Sequence, residues 1–233
     1  SLMKHFREYQ AVQQAAKQTL SELTDFISPS ATEASIAAFA QTRLADLGCP
    51  ETWYYACPAF VLLGSRSCLS ISGSDYVPAT ESVGETNLIT VDLSPCKNSL
   101  WGDCARSFVV EQGKVVSNPV NAEFRRGLEV QQRLHSRFLS FVTPDTTFGE
   151  LFRFVNDLIT AEGFECLDFL SNVGHSIASD LKGRLFIEAD SQSRLGSVPC
   201  FTLEPHIREK GGSWGFKHEN IYYFDERGQA VEL

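Results

Sequence analysis

The sequence predicts an α+β fold of two similar halves, with helices outside a curved, mostly antiparallel sheet. Three observations predict it. A helix–helix unit occurs twice at a fixed offset, and each unit is followed by short runs rich in β-branched and aromatic residues. Acidic side chains are embedded in those runs, where a chain tolerates them only if something compensates their charge.

The first helix spans Tyr9 to Phe26, where Val12, Ala16, Leu20, Leu23 and Phe26 recur at helical spacing. A second runs from about Thr32 to Leu47 and stops before Gly48. After a helix over Ala122 to Phe141 the same punctuation returns. Pro29, Thr32, Ile36, Phe39, Leu44 and Gly48 are matched by Pro144, Thr147, Leu151, Phe154, Ile159 and Gly163, each pair 115 residues apart. Proline before a helix and glycine after it are common, so two or three matches mean little. Six in register indicate a duplicated unit.

Strands are expected at Trp53 to Gly64, Cys68 to Gly73, Asn87 to Ser94 and Asp103 to Val110. In the second half they are expected at Leu185 to Glu188, Val198 to Arg208 and Gly215 to Phe224, with a return through Arg227-Gly228. Residues 3–233 are expected to form one domain with halves at about 3–118 and 119–233. Met3, the only methionine, is expected to be the natural first residue, with Ser1-Leu2 a remnant of expression.

A chain of 233 residues that is 43% hydrophobic can bury a sizeable core. A net charge of -9 and the lack of any Lys/Arg run argue against a nucleic-acid partner. No apolar stretch reaches the roughly 18 residues that span a bilayer, so no membrane association is expected. The seven cysteines are scattered and never form C-x-x-C, which fits a reduced, cytoplasmic protein better than a disulfide or zinc-thiolate scaffold.

Asp92 lies in Leu88-Ile89-Thr90-Val91-Asp92-Leu93 and Glu204 in Cys200-Phe201-Thr202-Leu203-Glu204; Asp103, His175 and Glu219 have similar settings. Each alone reads as a strand-end group facing water; the five together read as a two-metal site. Adding the 115-residue offset to Asp92 and Asp103 lands close to Glu204 and Glu219, so both acidic pairs hold similar places in their halves. Four carboxylates cannot share a cleft as anions unless cations neutralise them. The hard, oxygen-rich donor set suits two divalent ions of manganese, cobalt, iron or zinc. Such a pair activates water and polarises the carbonyl it attacks.

The chain resembles the "pita-bread" metallohydrolases, which include methionine aminopeptidase, prolidase, aminopeptidase P and creatinase. The resemblance spans nearly the whole sequence. It is carried by Val91-Asp92-Leu93-Ser94-Pro95, Gly102-Asp103-Cys104-Ala105-Arg106-Ser107-Phe108, Val173-Gly174-His175-Ser176-Ile177, Phe201-Thr202-Leu203-Glu204-Pro205 and Lys217-His218-Glu219-Asn220. It implies the pita-bread fold, with Asp92 on one metal, His175 and Glu204 on the other, and Asp103 and Glu219 bridging. It further implies that Glu204 shuttles the proton of the attacking water. The flanks are closest to the prolidase branch, although the extra N-terminal domain of prolidase and creatinase has no counterpart in these residues.

Two further histidines that steer substrate in active relatives are not matched. Trp53 to Thr86 contains none, and Ser176 to Asp190 offers only Lys182, Arg184 and Glu188. A donor near the developing oxyanion is worth about two to three orders of magnitude in rate. His206 is the candidate replacement, because on an extended strand it shares a face with Glu204; a strand-capping rim histidine is the equal alternative. His218 should point the other way, and His135 and His5 carry no expected chemistry. Arg106 is a candidate ion-pair partner for the metal carboxylates and Arg184 for a substrate carboxylate, with a solvated arginine as the plainer reading of the latter. Trp53, Tyr54 and Tyr55 either wall a substrate pocket or belong to the core.

The function expected first is a dinuclear-metal hydrolase of aminopeptidase or prolidase type, cleaving a C–N bond in a small peptide or peptide-like molecule. A creatinase-like hydrolase and a non-catalytic binding or regulatory homologue that keeps the metal site are the alternatives, and a homodimer is one assembly option.

Overall fold

The computed structural model describes residues 2–233, with side chains from Lys4 onward, so the expectation about Ser1-Leu2 lies largely outside it. In chain order the first half holds α1 (Phe6–Phe26), α2 (Glu33–Asp46), β1 (Glu51–Thr52), β2 (Ala59–Leu63), β3 (Asn87–Leu93), β4 (Pro95–Lys97), β5 (Leu100–Trp101), β6 (Cys104–Glu111) and β7 (Lys114–Val116). The second half holds α3 (Ala122–Phe141), α4 (Phe148–Ala161), β8 (Phe164–Cys166), β9 (Phe201–Leu203), β10 (His206–Glu209), β11 (Phe216–Lys217), β12 (Asn220–Phe224) and β13 (Ala230–Glu232).

The repeated punctuation has a repeated physical basis. Thr32 and Thr147 cap α2 and α4 through reciprocal capping boxes, Thr32 with Ser35 and Thr147 with Glu150. Gly48 and Gly163 close the two helices in the left-handed region, at φ 89° and 79°. Two main cores follow, the second of which also takes Leu88 of β3 and Val109 of β6 from the first half. Val12, Leu20, Leu23, Ile36 and Leu44 pack with Val61, Ile89 and Val91, while Phe124, Phe138, Leu151 and Ile159 pack with Phe201, Leu203, Ile207 and Phe216. A third cluster, with Cys96, Trp101, Ile177, Cys200, Ile221 and Leu233, joins residues of both halves.

All strand pairings are antiparallel: β2-β3-β6-β7 forms the largest sheet, with β1-β4-β5, β11-β10-β8 and β13-β12-β9 beside it. The helices cover this layer, α1 and α2 on the first-half strands and α3 and α4 on those of the second. An exchange of backbone hydrogen bonds between Ala105 and Glu219, at 3.2 and 3.0 Å, ties β6 to the segment between β11 and β12.

Several expected strands are shorter, each for a local reason. Trp53 to Gly64 reduces to β2, because Tyr55 and Ala56 take φ of 45° and 54° in a turn. Cys68 to Gly73 is not a strand; a 3-10 turn over Gly64–Cys68 leads into a serine-rich stretch whose side chains bond their own backbone, as Ser72 Oγ accepts from Ser74 N. Leu185 to Glu188 contributes only the Phe186 bridge to His175. Val198 to Arg208 and Gly215 to Phe224 are each split, at Glu204-Pro205 and at His218-Glu219. The seven cysteines are free thiols, and no helix among the described residues is long and apolar enough to cross a membrane.

Candidate metal centre

Asp92 stands on β3 opposite Phe60 and Ala105, in a strand whose neighbours Val91 and Leu93 are fully buried. Asp103 precedes β6, and its backbone is clamped from α1. Gln13, itself buried, accepts from Asp103 N at 2.7 Å and donates to Asp103 O at 2.8 Å. This places a first-half carboxylate against a helix about 90 residues earlier, a relation with no sequence signal.

His175 follows Gly174, whose φ is 157° and where a Cβ would come within 2.2 Å of the Thr202 carbonyl oxygen. Only glycine permits that approach. His175 and Thr202 are then locked together: His175 N donates to Thr202 Oγ1 at 3.2 Å, and Thr202 N donates to His175 O at 2.8 Å. The same Thr202 hydroxyl donates to Glu204 Oε2 at 3.2 Å, so one threonine orients both His175 and Glu204.

Asp103, His175, Glu204 and Glu219 each bring a donor atom into a group lying within 4.8 Å. His175 Nε2 is 3.0 Å from Asp103 Oδ2 and 3.5 Å from Glu204 Oε2. Glu219 is wholly buried, and neither of its carboxylate oxygens has a hydrogen-bond partner among the described residues. Two unpaired oxygens of a buried carboxylate are costly unless a cation meets them, so this donor set fits a divalent ion.

Asp92 stands outside that group. Its Oδ2 accepts from Lys217 Nζ at 2.7 Å, while its Oδ1 is buried and unpartnered among the described residues. Lys217 Nζ also lies 4.0 Å from Glu204 Oε1. Burial, reinforced by neighbouring carboxylates and opposed by Lys217, pushes the carboxyls of Asp92 and Glu204 up. Burial would lower the Lys217 ammonium, but Asp92 and Glu204 more than offset it and hold the side chain protonated. Sequence reasoning assigned no role to Lys217. The available signal was its spacing of two from Glu219 in a strand-like run.

Asp92, Asp103, His175, Glu204 and Lys217 line a cavity of about 510 Å³ together with Trp53, Tyr54, Tyr55, Arg184 and Phe186, with Glu219 buried behind its wall. Trp53 is in a turn rather than a strand; it stacks on Trp101 at 4.1 Å, donates Nε1–H to Gly102 O at 2.8 Å and meets the His175 ring edge-on at 5.7 Å. Tyr55 is 46% exposed at the rim. The Arg184 guanidinium lies over the Trp53 and Phe186 rings, 5.4 and 5.0 Å from their centres. Lys182, by contrast, is exposed and does not line the cavity.

His206 lines an adjoining cavity of about 140 Å³ that shares Asp92, Glu204 and Lys217 with the larger one. Its Nε2–H donates to Ser67 O at 2.6 Å, and burial, with Lys217 adding to it, lowers the ring to about 4. Pro205 interrupts the strand between Glu204 and His206, yet both residues line this smaller cavity. His218 and His135 line a separate cavity of about 700 Å³ with Arg106. Arg106 is not an ion-pair partner of the carboxylates: it donates to the backbone oxygens of Ala105 and Glu219 and to Asn220 Oδ1, fixing the backbone that carries Glu219.

The family model for metallopeptidase family M24 matches residues 7–226. Among solved structures, the X-Pro aminopeptidase of Thermotoga maritima MSB8 superposes with a TM-score of 0.81 at 18% identity, covering 99% of this chain and 60% of the other. Prolidase from Pyrococcus furiosus gives 0.81 at 19% identity, with 98% and 63% covered. Methionine aminopeptidase from Rickettsia prowazekii gives 0.72 at 15% identity, with 100% and 97% covered. The chain thus spans about three fifths of the length of the first two. A comparison with curated protein sequences gave no match. At these identities the likeness establishes the fold: two halves with helices outside a mostly antiparallel sheet, as the sequence predicts.

Proposed function

The chain belongs to metallopeptidase family M24, and from that membership and the geometry of its carboxylates we propose that it is a metal-dependent hydrolase cleaving a C–N bond in a small peptide or peptide-like substrate. The observation that carries the proposal is the convergence of Asp103, His175, Glu204 and Glu219 within 4.8 Å, with both Glu219 oxygens buried and unpaired. A divalent ion of manganese, cobalt, iron or zinc held there supplies a Lewis acid for the substrate carbonyl and the attacking water.

The protein's own groups divide the remaining work. Glu204, with its carboxyl raised by burial, accepts the proton of the attacking water and returns it to the leaving amine. Arg184, steadied over two rings, meets a substrate carboxylate, while Trp53 and Tyr55 wall the binding space. His206 is a candidate second acid–base group: its Nε2 is engaged by Ser67, and Nδ1 is the nitrogen it could offer. Residues 3–233 act as one unit in this reading, since Asp92 and Asp103 come from one half and His175, Glu204 and Glu219 from the other.

One observation favours a second reading, a non-catalytic homologue that binds metal and a peptide-like ligand. Among the described residues the only imidazole lining the 510 Å³ cavity is His175, and the cationic donors there are Lys217 and Arg184. A screen of the metal-reconstituted protein against Xaa-Pro dipeptides, peptides with N-terminal methionine and creatine-like amides separates the readings. Turnover that chelation abolishes and metal restores supports the hydrolase; metal and peptide binding without turnover on any of the three supports the second reading.

A further inference from the structure

We infer that the Lys217 ammonium takes the place of a second cation, so that the cleft holds one divalent ion on Asp103, His175, Glu204 and Glu219, and none on Asp92. This deepens the metal-dependent reading and rests on it. The resemblance assigns Asp92 to an ion of its own, beside a shared pair of bridging carboxylates. The structure divides the five groups differently: four lie within 4.8 Å, and Asp92 is paired instead with Lys217 at 2.7 Å.

Lys217 is not a surface side chain that has strayed inward. It sits on β11 in register with His206, its side chain is 19% exposed, and its ammonium lies between Asp92 Oδ2 and Glu204 Oε1. An ion on Asp92 would sit about 2.0–2.2 Å from a carboxylate oxygen, placing a dication beside an ammonium that already neutralises the same group. Asp92 Oδ1 remains buried and without a partner among the described residues, the oxygen a second ion would use if the ammonium were removed.

The test counts ions rather than turnover. Chelator-stripped protein is loaded with excess manganese or cobalt, separated from free metal, and measured by elemental analysis and by the stoichiometry of calorimetric titration. The native chain should hold one ion, Lys217→Arg one, and Lys217→Met two. Asp92→Asn should keep its single ion with at most the ~10- to 100-fold weaker affinity expected for a group outside the ligand set. This variant and the native count decide the matter if Lys217→Met does not fold. Two ions on the native chain overturn the inference while leaving the metal-dependent reading intact. Loss of the ion in Asp92→Asn, or a folded Lys217→Met that stays at one ion, also overturns it. No ion on the native chain removes both.

Discussion

His175 donates its Nδ1–H to the carbonyl oxygen of Ser176 at 2.9 Å and thereby aims Nε2 at Asp103 Oδ2, 3.0 Å away. A backbone acceptor on one ring nitrogen fixes which nitrogen faces the carboxylates, the usual way a metal-binding imidazole is oriented. Burial would lower this ring, but the hydrogen bond its Nε2–H donates to Asp103 and the charges of Glu204 and Asp103 outweigh it and raise it above the ordinary histidine value. Metal must therefore displace the Nε2 proton. Titration with zinc or cobalt near pH 6, in buffers of differing ionisation enthalpy, should show proton release that fades as the pH is raised, with affinity rising over the same range. Binding with no proton release at any pH would place the ion away from His175.

Ligand binding to the folded chain alone stabilises it by mass action, by about 2.7 kcal/mol at a hundred times the dissociation constant. Thermal melts of the native protein should shift upward with manganese, cobalt or zinc against a chelated control. Asp103→Asn should lose that shift, and Arg184→Ala should retain it. Equal shifts in all three proteins would leave the four-residue group without a role in binding.

Gly174→Ala should be severely destabilising, by about 2 kcal/mol or more, since its Cβ would meet the Thr202 oxygen at 2.2 Å on a backbone with φ of 157°. Because Thr202 holds both His175 and Glu204, the same change should weaken metal binding in whatever protein remains folded. Urea melts and metal titrations check this; native-like values in both would contradict the close approach.

Stability should fall on the acid side through His135. Its Nε2–H donates to His218 O and its Nδ1 accepts from the Tyr222 hydroxyl, and burial, with Arg106 adding to it, lowers the ring to about 4. The unfolded chain therefore takes up this proton first. The contribution is complete above about pH 6.5, is lost as the pH falls toward 4 at about 1.4 kcal/mol per unit, and is gone below. Denaturant melts from pH 7.5 to 4 should show His135→Gln less stable at neutral pH but with a shallower acid slope. Parallel slopes would show that other groups, such as His206, carry the loss.

The helix pairs were legible because their signals are local. Thr32 with Gly48 and Thr147 with Gly163 punctuate amphipathic runs, and capping and left-handed closure depend on residues within one turn. The five acidic and imidazole groups were legible for a related reason: a carboxylate in an apolar strand is anomalous wherever the strand goes. Their order and spacing also carried the family. The strands were less legible. Tyr55-Ala56 turns and Glu204-Pro205 breaks a run whose composition reads as strand, because pairing is decided by the partner rather than the segment.

Which charged groups meet, and which do not, belonged to the tertiary structure alone. Gln13 of α1 clamps Asp103 across 90 residues, and Lys217 of β11 reaches Asp92 of β3 across 125. Arg106, three residues after Asp103 in the same motif, turns instead to the backbone of Glu219, and Ser67 engages a nitrogen of His206. The sequence determined that carboxylates would be buried and would need compensating charge. The fold decided where buried carboxylate oxygens are left without a partner among the described residues, at Glu219, and where an ammonium stands beside one, at Asp92, because the partner of a buried charge is set by the three-dimensional approach of segments distant in the chain.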